Sequence, residues 1–234
     1  MKALTALLLL LFAGPVRAGG FNIAWDDCGV AGARSKVFSC DTNTGSDLLY
    51  ASFLAPVPVD SLVGFECILG LRPFTSELPS YWMTLPTNRC RPGAMLFEFD
   101  LTDSATNCTR GWEREMSGGG GMYFGPFGLD VARIFVVGTL DHPASIDNQR
   151  EYFAFRMKFD HRRTVGINAC SGCEQPLCIF MNEIKLVQPI GLGDVRIQNP
   201  ESFFEVAWQS PPLRCPAEVP IRATTWGTIK GLYR

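Results

Sequence analysis

The chain's dominant pattern has a period of two. In "EYFAFRMKFD", Phe153, Phe155, Met157 and Phe159 fall on one side, while Ala154, Arg156 and Lys158 fall on the other. Successive side chains of a strand point to opposite faces, so this is the pattern of an antiparallel strand with one face buried. "GFNIAWDD" repeats it with Phe21, Ile23 and Trp25, and "AMLFEFDL" sets Met95, Phe97 and Phe99 against Glu98 and Asp100. In "SLVGFECILGL" the inward set is Val63, Phe65, Cys67 and Leu69. "DLLYASFLA", "ARIFVVGTL", "CIFMNEIKLV" and "SFFEVAWQS" are further runs of strand length. Turn-rich stretches separate them: "CDTNTGSD", "RPFTSELPS", "TNRCRPG", "SGGGGMYFGPFG" and "IGLGD".

Short strands divided by such turns, without the spacing of crossover helices, predict an all-β fold. The expected architecture is a single antiparallel β-sandwich of roughly 8–10 strands, jelly-roll-like. One helix is expected, in "TTWGTIKGLYR", where Trp226, Ile229 and Tyr233 recur at helical spacing behind Thr224 or Thr225 as N-cap. Gly227 and Gly231 limit it to about two turns, docked on the sheet by its aromatic side chains. A closed outer-membrane barrel needs apolar outward positions and a polar lumen. Here the outward positions are polar and the inward ones bulky, which excludes it.

The amino terminus sets the compartment. Lys2, an apolar run from Ala3 to Gly14, and Val16 and Ala18 at the −3 and −1 positions form a secretory signal over 1–18, cleaved before Gly19. Residues 19–234 are then one exported domain, whether extracellular, periplasmic or on the cell surface. No other apolar run approaches membrane length, so no membrane span is expected. Without Lys2 and Arg17 the formal charge is −4, and the remaining cations are scattered, which argues against nucleic acid as a partner.

All nine cysteines lie after residue 18, in a chain bound for oxidising surroundings. The odd one out is Cys67, inward on its strand as a small hydrophobe. Cys28 with Cys40, and Cys90 with Cys108, are expected to close local loops. Two more disulfides are expected among Cys170, Cys173, Cys178 and Cys215. As a zinc site these four offer half a ribbon without the second CxxC knuckle, and as a redox motif Cys170-Ser171-Gly172-Cys173 lacks a following helix. No metal or other cofactor is expected.

Candidate chemistry is thin. Glu98 and Asp100 share a strand face with Asp103 nearby, a pattern similar to the acidic strand of laminarinase-like glycosidases. It departs from that family in its last acid, an Asp set off by two residues. The resemblance implies Glu98 and Asp100 as candidate catalytic carboxylates; the plainer account is outward charge on a solvated face. Asp100, Asp103 and Asn107 lack the glycine and bidentate Glu of a calcium loop. His142 and His161 each follow an aspartate, but no nucleophile elbow accompanies them, and both are expected at the surface near strand ends. Asn107-Cys108-Thr109 fits a glycosylation sequon. "SGGGGMYFGPFG" lacks the Lys-Ser/Thr of a phosphate loop and is expected to be a flexible loop carrying Tyr123, Phe124 and Phe127. With Trp112 just before it, Tyr123 and Phe124 are the candidate ligand-binding rings.

"FNIAWDDCG", "ACSGCEQPLCIFMNEIKLVQP", "VAWQS" with Cys215, and "TTWGTIKGLYR" together resemble a group of uncharacterised secreted bacterial proteins. That resemblance spans most of residues 19–234 and implies a bacterial, exported, single-domain β protein with no assigned activity. Cys67 departs from the group's usual pattern. The functional expectation is a non-catalytic secreted module for a glycan or an extracellular protein. The alternatives are a polysaccharide hydrolase using Glu98 and Asp100, and a structural subunit that self-assembles through an exposed sheet edge.

Overall fold

The structure is a computed structural model and describes residues 19–84, 90–101, 106–112, 116–124, 132–209 and 215. Among the described residues eleven strands are formed: β1 (Gly20–Trp25), β2 (Ser35–Lys36), β3 (Ser46–Leu54), β4 (Val59–Pro73), β5 (Met95–Glu98), β6 (Met116–Phe124), β7 (Ala132–Ile146), β8 (Glu151–Asp160), β9 (Leu177–Val187), β10 (Val195–Ile197) and β11 (Glu205–Trp208). They make two sheets, ordered β1-β3-β8-β5 and β2-β11-β9-β4-β7-β6, with β10 beside β9. The chain is an all-β sandwich. Pairing is antiparallel except between β2 and β11, which run parallel, so the second sheet is mixed. The jelly-roll path expected from sequence is a finer claim than this strand order establishes. The expected helix at 224–233 and the signal at 1–18 lie outside the described residues.

The alternating apolar positions of both sheets meet in one core. Trp25, Phe53, Phe155 and Phe159 come from the smaller sheet, and Phe65, Leu69, Ile134, Ile184 and Trp208 from the larger. Trp208 stacks on Phe38 at 3.8 Å between centroids and stands edge-on to Trp82 at 4.7 Å. Each ring contributes about 1.5–3 kcal/mol by leaving water. The indole nitrogens of Trp25 and Trp208 donate to the carbonyls of Ala207 (3.1 Å) and Cys173 (2.8 Å), which offsets their desolvation.

Two strands break strict alternation. β8 follows β3 until Ala51 faces Phe155, and then Ser52 faces Phe153. Ala154 is the extra residue of a β-bulge. It enters the core together with Phe155, and Phe153 turns outward to join Tyr50 and Cys28. Phe153 therefore does not share the face expected for it. In β4, irregularities on either side of Leu62 bring Leu62 inward and leave Val63 half-buried.

The glycine-rich stretch is a strand, not a flexible loop. Met116–Phe124 pairs with β7 in unbroken register, from Met116 opposite Leu140 to Phe124 opposite Ala132. A Cβ on Gly118 would come within 2.6 Å of the Phe99 ring, and one on Gly120 within 2.5 Å of the Phe97 ring. Glycine makes room there for aromatic rings of the opposite sheet, and that tertiary gain overrides its poor strand propensity.

The disulfides are Cys28–Cys108, Cys40–Cys173, Cys90–Cys170 and Cys178–Cys215. The local bridges expected between Cys28 and Cys40 and between Cys90 and Cys108 do not form. Of the late cysteine cluster, only Cys178–Cys215 is internal to its four members. Topology decides the rest: Cys40 and Cys90 each end on a segment packed against the 170–173 turn, at Cα separations of 5.8 Å. Cys67 is free and buried, and burial pushes its thiol pKa up, with Glu183 adding to the effect.

Candidate functional site

Glu98 and Asp100 do not act as a pair. Glu98 accepts a hydrogen bond from Nε of Arg156 on β8, while Asp100 pairs with Arg110 at 3.1 Å. Each carboxylate thus serves a separate ion pair, and Asp103 lies outside the described residues. His161, expected at the surface, is buried; its Nε2 lies 2.5 Å from Asp47, whose other oxygen is 3.3 Å from Lys36. The packing of the β8 end against the Gly45 turn encloses it, since its backbone N–H donates to the Gly45 carbonyl. His142 is exposed, but inside β7 rather than at a strand end.

Residues 106–112 form the wall of a groove. Cys108 is bound to Cys28, and one Asp27 oxygen accepts from the backbone N–H groups of Cys28 and Asn107, both at 2.7 Å. The other Asp27 oxygen takes the Asn107 side-chain amide at 2.7 Å, so the sequon asparagine is already engaged. Thr109 then accepts from the Phe153 N–H at 2.8 Å, at the β8 bulge. Gly111 lies against the Tyr152 ring, where a Cβ would meet Cδ1 at 2.5 Å. This close approach needs glycine.

Between that wall and the second half of β7 lie two adjoining hollows that share Gly111 and Ser145. One, of about 360 Å³, is lined by Trp112, Asp141, His142 and Pro143. The other, of about 410 Å³, is lined by Asp60, Arg110, Asp147, Arg150 and Tyr152. The β7–β8 turn sets the second. The Tyr152 hydroxyl accepts from the Asp147 N–H at 3.0 Å, and Asp147 accepts from the Gln149 N–H at 2.8 Å and from Arg150 at 2.9 Å. The Gln149 hydrogen bond, helped by Arg150, holds the Asp147 carboxyl below its ordinary pKa; burial pushes the Tyr152 phenol above its own.

Comparison with family models, characterised proteins and solved structures finds no match for this chain. The groove's own chemistry is what remains to indicate a role.

The structure separates the three rings singled out from sequence. Trp112 lines the groove but is only 6 % exposed, because the 106–112 segment presses it into the core; it is a wall and not a displayed platform. Tyr123 is exposed, on β6 opposite Arg133, and the Phe124 side chain lies outside the described residues. Tyr152, Asp147, Arg150, Arg110 and Asp60 escaped the sequence reading. A signal existed for two of them: "IDNQRE" joins two long strands, and its Asp147 and Arg150 sit where a tight turn places charge at a hairpin tip. All four cysteines weighed as zinc ligands are consumed in disulfides. Among the described residues, no helix is long and apolar enough to cross a membrane.

Proposed function

We propose that the chain is a secreted, non-catalytic binding module whose groove takes a neutral glycan. The observation that carries this reading is the mixed lining around Gly111: Asp60, Asp141 and Asp147 with Arg110 and Arg150, beside the Trp112 and Tyr152 rings. A sugar offers hydroxyls that both donate and accept, beside apolar ring faces, and such a site meets both needs. A lining with one more acid than base gives a polyanion no advantage. The Cys28–Cys108 anchor holds the wall in place before binding, which lowers the cost of ordering it. Four disulfides support an oxidising destination, in keeping with the secretory signal expected from sequence. The separate arginine partners of Glu98 and Asp100 favour binding over hydrolysis.

A glycan array followed by calorimetry tests the reading. Binding by the wild type should weaken in Arg150→Ala and in Tyr152→Phe while the unfolding temperature holds. Ligands indifferent to both substitutions would remove the groove from consideration, and sugar release abolished by Glu98→Gln would restore the hydrolase. One observation favours self-assembly as a second reading. β6 carries neither charge nor proline, pairs with β7 on one side, and has no described strand on its other side. A monomer in sedimentation at high concentration would dismiss it.

A further inference from the structure

The hairpin that joins β9 to β10 ends in an apolar point. The Leu192 N–H donates to the Pro189 carbonyl at 3.1 Å, and Gly191 supplies the positive φ, 99°, that such a turn takes at its third position. Below it, the Gln188 N–H donates to Asp194 Oδ1 at 3.2 Å, and the Gln188 side-chain amide donates to the Gly193 carbonyl at 2.6 Å. The turn is closed by its own hydrogen bonds, and in that fixed shape it holds two apolar side chains out in water. Ile190 is 106 % exposed, as open as in an extended chain, and Leu192 is 61 % exposed.

A second apolar tip lies at the same end of the sandwich. β4 pairs with β9 so that Gly64 faces Val187. From that pair, β4 traced back to Val59 and β9 traced on into its hairpin run in the same direction. The segment before β4, Pro56-Val57-Pro58, presents Val57 at 49 % exposure, its backbone stiffened by a proline on either side. Pro58 also lines the second hollow of the groove, so the tips and the groove share this end. Charge at the base of the β9–β10 hairpin is paired: Lys185 lies 2.6 Å from Glu66 and 3.7 Å from Asp194, and Arg196 pairs with Glu183. That pairing leaves the hairpin without the basic collar that selects an anionic surface.

We infer that this end of the sandwich docks on a neutral lipid surface, with Ile190, Leu192 and Val57 seated among the head groups and upper acyl chains. Apolar side chains on protruding, rigid turns enter a protein only where a pocket is already shaped for them, whereas a lipid interface yields to take them. Insertion is shallow. The apex side chains leave water while Gln188 and Asp194 stay at the polar level, and the turn's Leu192 N–H enters already bonded to the Pro189 carbonyl. The inference stands apart from the glycan reading, since the surface it needs carries no sugar.

The test uses the full chain and phosphatidylcholine vesicles. Wild type should float with the vesicles, and exchanging part of the lipid for phosphatidylglycerol should not raise the partition. The double variant Ile190→Ser, Leu192→Ser should lose at least about tenfold in partition, with its thermal midpoint unchanged because neither side chain is buried. Ile167→Ser is the control: Ile167 is 104 % exposed in the loop ahead of β9, at the opposite end, and its variant should float as wild type does. Separately, the indole in Ile190→Trp should be quenched by brominated phosphatidylcholine, with the wild-type spectrum as baseline. Wild type that does not float, a double variant that partitions equally, an equal loss in Ile167→Ser, a rise with phosphatidylglycerol, or no added quenching in Ile190→Trp would each overturn the inference. A dimer in sedimentation that dissociates in the double variant, without vesicle binding, would overturn it too and assign the tips to a second copy of the chain.

Discussion

Replacing the four consecutive glycines of β6 with alanine, one at a time, should give a stability pattern of period two. Gly119 and Gly121 have open space where a Cβ would go, and none of the four has a positive φ. Alanine there removes unfolded-chain freedom without a clash and should stabilise by about 0.5–1 kcal/mol. At Gly120 the Cβ would meet the Phe97 ring at 2.5 Å; Phe97 is only half-buried and can swing aside, so a cost of about 1 kcal/mol is expected. At Gly118 the obstacle is the Val137 carbonyl oxygen at 2.3 Å together with the buried Phe99 ring. Backbone cannot step aside, and the cost should approach about 3 kcal/mol. Thermal unfolding under non-reducing conditions resolves these differences, since 1 kcal/mol moves the midpoint of a chain this size by about 2–4 °C. Four equal effects, or a loss at Gly119 as large as at Gly118, would refute the assignment of this tract as a strand sealed by Phe97 and Phe99.

Non-reducing peptide mapping should recover Cys28–Cys108, Cys40–Cys173, Cys90–Cys170 and Cys178–Cys215, and a Cys28–Cys40 peptide would contradict the topology. Removing the Cys40–Cys173 bridge by a double Ser substitution should cost about 5 kcal/mol in the loop-entropy picture, given its separation of 133 residues. Cys67, protonated and enclosed, should resist alkylation in the native protein at pH 8 and react as one thiol per chain once denatured; native labelling at the denatured rate would contradict its burial. Asp147 has a depressed folded-state pKa, so its stabilising contribution is present above the ordinary aspartate pKa and fades as pH falls through the lower folded value. The Gln149 amide resonance should follow that titration, and in Asp147→Asn the low-pH step should vanish; a step that persists would assign it to another carboxyl.

The groove was only partly legible in the sequence. Trp112 was singled out as a ring near a glycine-rich stretch, and it does line the groove, but its burial depends on the 106–112 segment being pulled down by Cys28 and Asp27, some 80 positions earlier. Tyr152 and Arg150 lie beyond β7, and only the return of β8 beside that segment makes them its neighbours. Arg91 shows the same dependence. It looks like one more loop cation, yet it is 1 % exposed, donates to the carbonyls of Tyr81 and Arg162 at 3.0 Å, and sits 3.5 Å over the Tyr81 ring. Burial pushes its pKa down, opposed by Tyr81 and Asp160.

What the sequence alone determined is what depends on neighbours a few residues apart. Period-two hydrophobicity marked β1, β3, β4, β5, β7, β8, β9 and β11, because a strand's buried face is written in every second residue. The inward, unpaired Cys67 was legible for the same reason. Tertiary structure decided whatever depends on which distant segments meet. It chose the disulfide partners, since loop tips are brought together by sheet order and not by proximity in the chain. It turned Phe153 outward, since a single bulge inverts the alternation beyond it. It also made a strand of four glycines, because Phe97 and Phe99 fill the space their side chains would have taken.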